Sequence, residues 1–233
     1  MKHCIVIPCY NEAKRLNIES FSSFLSKTKD YYIVWVNDGS TDNTVQVCTT
    51  LAEIFPNQTQ VLSISQNSGK AAAVQFGIKS ILSKNEPYSI GFLDADLSTP
   101  LEEYRALVDS TDFNDLTFAM GTRILNQKNI VYSNGRVFGR IAVNLLTTRL
   151  FKLSYQDTQC GAKVFSAKLA QYLFEDDFTS KWLFDIELIL RFHAKFPSSK
   201  VKEYQLQNWL QAEGSKMKFG HKLMIPFNIL KIY

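Results

Sequence analysis

Apolar and polar residues alternate in regular blocks along the first hundred positions. Four short apolar runs have the composition of buried strands: HCIVIP, YYIVWVN, QVLSIS and YSIGFL. The segments between them predict helices, the first from about Glu12 to Lys27, the second in STDNTVQVCTTLAEIF with Ser40 or Thr41 as its cap, and the third in GKAAAVQFGIKSIL. Strands that alternate with helices predict βαβ units, and therefore an α/β fold whose mostly parallel central sheet carries helices on both faces.

The second half of the chain has a less regular pattern. DLTFAMGTR predicts a strand, whereas GRIAVNLLTTRLFKL and KWLFDIELILRFHAKF predict helices, the last of them strongly amphipathic. No internal repeat, low-complexity tract or linker divides the sequence. We therefore expect a single domain over residues 1–233.

The composition is that of an ordinary globular protein. Of its 233 residues, 45% are hydrophobic and 21% are charged, and the net charge of +4 comes with basic residues concentrated after residue 120. This excess suits a phosphate-bearing ligand or an anionic membrane surface, and without a nucleic-acid-binding motif no nucleic-acid partner is predicted. The four cysteines lack the spacing of a zinc site or a disulfide framework, which predicts free thiols and a reducing, cytoplasmic compartment.

No segment predicts a signal peptide or a membrane-spanning helix. The apolar run near the N-terminus has only about five residues, and no run approaches the roughly 20 apolar residues that span a bilayer. The segment MKFGHKLMIPFNILKIY mixes lysines with apolar residues. It suits either peripheral contact with a membrane surface or a helix packed on the core, and the residues leave both open.

Two carboxylates follow the fourth predicted strand, in SIGFLDADLSTP. Ligands of parallel sheets bind outside the carboxyl ends of the strands, and Asp94 and Asp96 lie at that edge. Because alternate residues of an extended chain point to the same side, both carboxylates could face one ligand. Hard cations such as Mg²⁺ and Mn²⁺ prefer such oxygen ligands. The pattern alone fits either a metal site or a solvated acidic turn.

Asp38 and Lys70 fall at the same edge. Asp38, in VNDGSTDNT, suits either a turn with Gly39 before a helix that Ser40 caps, or hydrogen bonds to a nucleobase or ribose. Lys70, in NSGKAAA, opens a predicted helix, and helix N-termini attract anions, although the pattern of a Walker P-loop is missing. The alternative for Lys70 is a surface lysine beside a capped helix.

Further charged residues come later in the chain. Arg123, Arg136 and Arg140 form either a solvated face or a clamp for phosphate oxygens. Asp185 and Glu187 are flanked by apolar residues, so burying them unpaired would be costly. They either pair with the arginines, or one of them is a general base.

Taken in order, these motifs resemble one family. VIPCYNE, NDGSTDNT, NSGKAAA, DADLSTP, GTR, DTQCGAKVF, WLFDIEL and EGSK occur in the order found in family 2 glycosyltransferases, which have the Rossmann-like GT-A fold. The likeness is greatest to dolichyl-phosphate β-glucosyltransferases and looser to dolichyl-phosphate mannose synthases. It extends from about Cys4 to Lys216, and the ordered set is far more specific than any single motif.

The resemblance implies a nucleotide pocket in the first half of the chain. The residues that match the family's pocket are Pro8, Tyr10, Asn11, Glu12, Asp38, Lys70 and Asp94. Asp96, with help from Asp94, would bind Mg²⁺ or Mn²⁺ on the diphosphate. Residues 1–98 would form the nucleotide-sugar-binding half, and residues 99–233 the acceptor-binding half.

The second half would supply the reaction side. Arg123 and Arg136 match positions that handle the donor and acceptor phosphates, and Asp157, Asp185 and Lys216 match positions beside the reacting groups. The implied reaction is inverting transfer of a sugar, with glucose from UDP-glucose favoured over a GDP-sugar, to a polyprenyl or dolichyl phosphate. The enzyme would be cytoplasmic, with peripheral contact on the inner face of the membrane.

Three departures from the family pattern leave the sugar and the acceptor open. Asn37 stands where a second aspartate is common, Ala71 and Ala72 replace glycines, and Gln156 replaces an arginine. The main alternative is a family 2 glycosyltransferase that acts on a sugar hydroxyl in polysaccharide or glycan assembly. Such a hydroxyl would need a general base, for which Asp185 and then Asp157 are the candidates, whereas a phosphate acceptor is already ionised at neutral pH. Alternatives from other classes are a nucleotidyltransferase and a non-catalytic nucleotide-sugar-binding module.

Overall fold

The backbone is organised around a central β-sheet. The structure, a computed structural model, describes residues 2–84, 87–124, 129–131, 144–180 and 183–210. Its strands are β1 His3–Cys9, β2 Tyr31–Asp38, β3 Thr59–Ile64, β4 Ser89–Phe92, β5 Phe118–Thr122, β6 Ile130–Val131, β7 Lys163–Ser166, β8 Lys202–Gln205 and β9 Trp209–Leu210. Seven of them form one sheet in the order β3-β2-β1-β4-β7-β5-β8, while β6 and β9 form a separate pair.

Parallel pairing dominates the central sheet. β1 pairs in parallel with β2 and with β4, β2 pairs with β3, and β5 pairs with β8. β7 is antiparallel to both of its neighbours, β4 and β5. The predicted mostly parallel sheet is thus confirmed, and β7 is the strand that runs against the others.

Helices cover both faces of the sheet, as predicted. They are α1 Ile18–Lys27, α2 Thr44–Ile54, α3 Lys70–Leu82, α4 Leu101–Asp109, α5 at residues 144–151, α6 Ala167–Leu173 and α7 Phe184–Lys195. α3, α6 and α7 contribute to the apolar core on one face, and α1, α2 and α4 to the core on the other. Within the described ranges, no helix combines the length and the apolar character that crossing a bilayer requires.

Alternate side chains of the central strands enter the two cores. On β1, Cys4 and Val6 are buried on the side of α3, whereas Ile5 and Ile7 are buried on the opposite side. A strand with both faces covered needs apolar residues at successive positions. This explains why the central strands are continuous apolar runs in the sequence.

The first helix begins later than the apolar pattern predicts. α1 begins at Ile18 rather than near Glu12, and Asn17 is its N-cap, whose side chain accepts the Ser20 N–H at 2.9 Å. The residues before this cap form a turn in which the side chains of Glu12 and Arg15 bind each other.

The predicted cap of the second helix is wrong. α2 begins at Thr44 with Asn43 as its N-cap residue, and the carboxylate of Asp42, rather than Ser40 or Thr41, accepts the Thr44 N–H at 3.0 Å. The Ser40 hydroxyl instead accepts the Asn11 N–H at 3.0 Å. The turn after β2 is therefore tied to the turn after β1, and Ser40 is used in that connection.

At the carboxyl edge of the sheet β1 extends beyond β4, and we call this position, past Val6 and Phe92, the crevice. The last residue pair of these strands is Val6 with Phe92, after which the Leu93 N–H donates to the Val6 carbonyl at 3.1 Å. The backbone N–H and C=O groups of every second residue of β1 face β4, and Val6 and Pro8 are two such residues. Because β4 ends before it reaches Pro8, the N–H that proline lacks is not needed for a hydrogen bond of the sheet. The strand order also reverses at β1, because β2 and β3 lie on one side and β4 on the other. Such a switch point is where α/β sheets bind ligands.

Gly77 allows α3 to lie close against the sheet. A Cβ atom on Gly77 would lie 2.6 Å from Val6 Cγ1 and 2.8 Å from Val36 Cγ2. We predict that Gly77→Ala lowers the free energy of unfolding by about 1–3 kcal/mol, even though alanine favours a helical backbone by up to about 1 kcal/mol. Urea unfolding measures the change. Ser80→Ala in the same helix is the control, with an expected change below about 0.5 kcal/mol. An unchanged or more stable Gly77→Ala variant would contradict the close packing.

Candidate active site at the carboxyl edge of the sheet

Charged side chains from several segments converge where the parallel strands end. Asp38 is the last residue of β2, Lys70 is the first residue of α3, and Asp94 lies two residues beyond β4. Because β7 is antiparallel, it begins at this edge, where Lys163 pairs with Phe92. Residues far apart in the sequence are thereby brought together beside the crevice.

Lys70 and Asp94 form an ion pair in the crevice. Lys70 Nζ lies 2.6 Å from Asp94 Oδ1, and 5.5 Å and 5.6 Å from the ring centres of Phe92 and Phe184. Burial lowers the pKa of Lys70, but nearby carboxylates, first Asp94 and then Asp185, more than offset burial, so that the pKa is raised. Lys70 is therefore a fixed positive charge at neutral pH.

Gly161 lies directly against Asp94. A Cβ atom on Gly161 would lie 2.1 Å from Asp94 Oδ2. Only a residue without a side chain leaves room for the carboxylate in this position. The loop of residues 157–162 therefore limits where the Asp94 side chain can lie.

A second ion pair is fully buried near the first. Lys163 is 0% exposed, and its Nζ lies 2.5 Å from Oδ1 of Asp185, which is 4% exposed. The ammonium also donates to the carbonyl oxygens of Thr158 at 3.1 Å and Cys160 at 2.7 Å. All three donors of the ammonium group are thus used. A buried charge pair needs such additional hydrogen bonds to offset its loss of hydration.

Arg123 and Asp157 form a third ion pair. Arg123 Nε lies 2.6 Å from Asp157 Oδ2 and Nη2 lies 2.8 Å from Oδ1, while the Arg123 backbone N–H donates to Oδ2 at 3.1 Å. The guanidinium carbon is 5.0 Å from the ring centre of Trp209. Bidentate pairing and stacking together fix the direction of the Arg123 side chain.

Asp96 lies beside an arginine without a direct hydrogen bond to it. Arg15 Nη1 is 3.9 Å from Asp96 Oδ2, a distance that allows charge attraction but exceeds a hydrogen bond. Arg15 binds Glu12 through Nε and Nη2, each at 2.7 Å from a carboxylate oxygen. The other oxygen of Asp96, Oδ1, accepts the Ser98 N–H at 3.0 Å.

Asp38 binds the backbone that leads into α3, whereas its sequence context suggests a turn followed by a helix that Ser40 caps. It is buried, and its two carboxylate oxygens accept the N–H groups of Ser68 at 2.7 Å and Gly69 at 2.8 Å. Gly69 has φ +96°, a conformation that glycine adopts readily. Asp38 thus connects the end of β2 to the start of α3, and a role toward a nucleotide remains a prediction.

The strand-1 motif supplies both structural and accessible groups. Asn11 has φ +50°, and its amide oxygen accepts the N–H of Thr41 at 2.8 Å and of Asp42 at 3.3 Å. Tyr10 is exposed, and Pro8 lies in the crevice beyond β4. Asn11 therefore shapes the turn, whereas Tyr10 has a surface that a ligand could contact.

Other predicted site residues have different outcomes. Arg136, Arg140 and Lys216 lie outside the described residues. Asp185 pairs with Lys163, whereas Glu187 pairs with Arg191 at 2.9 Å within α7. Within the described part of the chain, both acids are thus in ion pairs, with Lys163 and Arg191 as their partners.

Sequence patterns did not single out Lys163, Arg15 or Trp209. Lys163 stands in DTQCGAKVF, one of the motifs that carry the family resemblance. A lysine at the start of an otherwise apolar strand indicates a buried ion pair, because burying an unpaired lysine would be costly. Nothing in the local sequence indicates that Trp209 contacts Arg123.

The carboxylates of Asp94 and Asp96 suit a divalent cation whose remaining coordination positions are filled by oxygen atoms of a bound ligand. Within the described part of the chain, no three acidic, histidine or cysteine side chains form a complete metal cage. Mg²⁺ commonly takes one or two carboxylates and fills its remaining positions with water and phosphate oxygens. Because Lys70 already binds Asp94, Asp96 is the stronger candidate ligand.

The sequence matches a known protein family over most of its length. A model of glycosyl transferase family 2 matches residues 4–174. A dolichyl-phosphate beta-glucosyltransferase of Trichomonas vaginalis is 30% identical over 241 residues, which cover 97% of this chain and 69% of the relative. The Homo sapiens protein of that name is 29% identical, over 91% of this chain and 68% of its own length.

Solved structures share the fold. A crystal structure of glucosyl-3-phosphoglycerate synthase from Mycobacterium tuberculosis with Mn²⁺, UDP and glucosyl-3-phosphoglycerate has a TM-score of 0.73 and 18% identity, and covers 99% of this chain and 79% of that one. A structure of the same protein with Mn²⁺, UDP-glucose and phosphoglyceric acid has a TM-score of 0.73 and 17% identity, with the same coverage. The expected Rossmann-like GT-A fold is thereby confirmed.

The buried pair Lys163–Asp185 gives a testable prediction about stability. Lys163→Met leaves the Asp185 carboxylate buried and unpaired, so we expect the free energy of unfolding to fall by about 3–5 kcal/mol. Lys168→Met is the matched control, since Lys168 and Asp115 form a pair of similar length, 2.6 Å, with side chains 70% and 71% exposed. That exposed pair should contribute at most about 1 kcal/mol.

Urea unfolding of both variants measures the difference. Adding Asp185→Asn to Lys163→Met removes the unpaired charge and should restore part of the lost stability. Equal effects of Lys163→Met and Lys168→Met would show that the buried pair contributes no more than a surface pair.

Proposed function

Since the chain belongs to glycosyltransferase family 2, we propose that it transfers glucose from UDP-glucose to the phosphate of dolichyl phosphate, or of a related polyprenyl phosphate, with inversion at the anomeric carbon. The names of several relatives support this donor sugar and this acceptor, because they are dolichyl-phosphate beta-glucosyltransferases. A structural neighbour crystallised with UDP-glucose supports the nucleotide.

Both candidate bases are paired with cations, and this observation supports a phosphate rather than a hydroxyl as the acceptor. Asp157 is buried against Arg123 in a bidentate pair, and Asp185 is buried against Lys163 at 2.5 Å. A hydroxyl acceptor would need a carboxylate placed to remove its proton. An acceptor phosphate has a second pKa of about 6 and is already largely dianionic at neutral pH. Because Asp157 and Asp185 are already paired with cations, the site favours a phosphate acceptor over a hydroxyl acceptor.

Fixed positive charges suit the leaving diphosphate. The pKa of Lys70 is raised by its carboxylate neighbours despite burial, so the ammonium stays charged, and the Arg123 side chain is held in one direction. Such preorganised charges stabilise negative charge that develops during the reaction. We assign Lys70 and Arg123 to the donor phosphates, and Arg136 and Lys216, beyond the described residues, to the acceptor phosphate.

The proposed cofactor is Mg²⁺ or Mn²⁺ at Asp96, with help from Asp94. When bound, the cation would neutralise charge on the departing diphosphate. Asp96 Oδ2 faces the guanidinium of Arg15 at 3.9 Å, and Oδ1 is held by the Ser98 N–H. Because Oδ1 is held by the Ser98 N–H, we assign Oδ2 of Asp96 to the cation.

We assign the remaining predicted residues to two halves of the domain according to their position in the sequence. In the proposed nucleotide-sugar-binding half, residues 1–98, the pocket is formed by Pro8, Tyr10, Asn11, Glu12 and Asp38. Residues 99–233 form the proposed acceptor-binding half of the same domain. A lipid acceptor would also require contact with a membrane surface, which we assign to the lysine-rich apolar segment 217–233.

The metal ligand gives the first test of this function. Asp96→Asn removes the carboxylate charge at the leaving group, so we expect kcat/KM for glucose transfer from UDP-glucose with Mn²⁺ to fall by about 100-fold or more. Asp115→Asn, which removes an exposed carboxylate elsewhere, is the charge-matched control and should leave activity unchanged. Full activity of Asp96→Asn, or of the wild type with the metal chelated, would make the metal-assisted reaction untenable.

The acceptor gives the second test. Liposomes that contain either dolichyl phosphate or dolichol of the same length are incubated with UDP-[¹⁴C]glucose, and lipid-linked label is counted after flotation. We expect label on the phosphate and none on the alcohol, because the two candidate bases, Asp157 and Asp185, are already paired with cations. Transfer to dolichol, or to a free sugar acceptor in place of dolichyl phosphate, would favour the hydroxyl-acceptor alternative. Protein that floats with the liposomes reports the membrane contact in the same experiment.

A further inference from the structure

We propose that Glu103 is a positioning residue for the groups that bind the donor diphosphate, and that it acts through the segment of residues 206–210. This segment contacts both the turn that carries Asp96 and the side chain of Arg123. The inference rests on the roles proposed above for Asp96 and Arg123. Neither the sequence patterns nor the proposed reaction assigns a role to Glu103.

Glu103 places a carboxylate at a buried position of α4. Its residue is 6% exposed, and the other buried positions of this helix are Leu101, Tyr104, Leu107 and Val108. Burying a carboxylate is unfavourable unless hydrogen bonds replace its lost hydration. Glu103 lies in the first turn of α4, where the helix dipole offsets part of this cost. The groups that the carboxylate binds must offset the rest.

Both oxygens of Glu103 bind the same short segment of the chain. Oε2 accepts the backbone N–H of Gln207 at 2.9 Å, and Oε1 accepts the side-chain amide of Asn208 at 2.7 Å. These residues follow β8 and lead directly into β9. Hydrogen bonds to a carboxylate are stronger than those between neutral groups. Two of them, to consecutive residues, therefore fix both the position and the direction of the segment.

The end of this segment contacts two groups that we assign to the diphosphate and its cation. The Leu210 N–H donates to the Ser98 carbonyl at 3.0 Å, and the Ser98 N–H donates to Asp96 Oδ1 at 3.0 Å. The ring centre of Trp209 lies 5.0 Å from the guanidinium carbon of Arg123. One segment thus supports a carboxylate on one side and a guanidinium on the other.

The turn that carries Asp96 is attached to Glu103 in two ways. Along the chain, the turn leads into α4, and the Pro100 carbonyl accepts the Glu103 N–H at 3.1 Å. Across space, the Ser98 carbonyl is reached through β9 and the segment that Glu103 holds. Misplacing a binding group by about 1 Å can lower a rate by about 100-fold. Holding both attachments at one carboxylate keeps the turn and the segment in register.

Other contacts of the segment should preserve the fold when the carboxylate is lost. The Leu206 N–H donates to the Thr122 carbonyl and the Trp209 N–H to the Asn129 carbonyl, each at 3.0 Å. These backbone bonds do not involve Glu103. We therefore expect a variant of Glu103 to loosen the segment locally rather than to unfold the protein.

Hydrogen exchange of the ligand-free protein, followed by mass spectrometry, tests the structural part of the proposal. Glu103→Met keeps the side-chain length and removes both acceptors, so backbone N–H groups of residues 207–210 should exchange about tenfold faster or more, with β1 and β2 unchanged. Glu103→Gln keeps an oxygen for the Gln207 N–H and should have a smaller effect. Glu102→Met, which removes an exposed carboxylate from the same helical turn, should have none.

The affinity for UDP in the presence of Mn²⁺, measured by calorimetry, tests the functional part. We expect about tenfold weaker binding in Glu103→Met, a smaller loss in Glu103→Gln and no change in Glu102→Met. The value of kcat/KM for glucose transfer should fall in the same order. A purely structural role would lower the thermal stability of Glu103→Met and leave the UDP affinity of its folded form unchanged.

A double-mutant cycle tests whether Glu103 acts through the segment. Asn208→Ala removes one of the two bonds from the exposed side and leaves α4 intact. It should weaken UDP binding in the wild type and have little further effect in the Glu103→Met background. The Asn208 side chain also accepts from Asn129 at 3.1 Å, and the cycle separates that bond from the bond to Glu103. If Glu103→Met does not fold, Glu103→Gln takes its place in the cycle.

Unchanged exchange at residues 207–210, unchanged UDP affinity in folded Glu103→Met, or fully additive effects in the cycle would overturn the proposal. Exchange and UDP binding require neither glucose transfer nor an acceptor. The expected changes in a wild type that transfers no glucose would reject the proposed reaction and keep the role of Glu103. An active wild type whose UDP affinity does not respond to Glu103→Met would reject the role of Glu103 alone, and a wild type that does not bind UDP would reject both.

Discussion

The buried ion pair between Lys163 and Asp185 is the interaction on which the geometry of the candidate site depends. Besides Asp185, the Lys163 ammonium holds the carbonyl oxygens of Thr158 and Cys160. It therefore fixes the loop of residues 157–162 from within the protein. That loop places Gly161 against Asp94 at one end and Asp157 against Arg123 at the other. A charge that no ligand can reach thus determines where the accessible charges lie.

The charges of the site alternate in sign from one group to the next. Arg15 lies beside Asp96, Lys70 binds Asp94, and Asp185 acts on the pKa of Lys70 while it binds Lys163. Each of these three carboxylates, Asp94, Asp96 and Asp185, consequently has a cation near it in the absence of a ligand, which limits the repulsion between neighbouring acids. Under the proposed reaction, a diphosphate and its cation would enter as a pair of opposite charges, and the balance of the site would be preserved. Such an arrangement suits phosphate chemistry better than proton transfer.

The sequence predicts the first four strands, the helices between them and the edge at which Asp38, Lys70, Asp94 and Asp96 gather, because continuous apolar runs and turn signals are local features. It does not predict α4, which is short and begins directly after Pro100, nor β7, which has only four residues. The ion pairs are harder to predict from the sequence than these short elements. Whether Asp185 faces Lys163 or an arginine depends on the antiparallel insertion of β7, and that insertion is a property of the whole sheet. Arg15 appeared to belong to a helix that in fact begins at Ile18.

The position of β7 also constrains the order of assembly. β7 lies between β4 and β5, and both of these strands precede it in the sequence. During synthesis the chain therefore emerges with a gap in the middle of its sheet, and this gap can close only after residue 166 has been made. Pairing between strands so distant in sequence is slow, because a long loop must be closed before the contact forms. The loop of residues 157–162, which contacts Asp94 and Arg123, therefore reaches its place only after β1, β2 and β4 have been made.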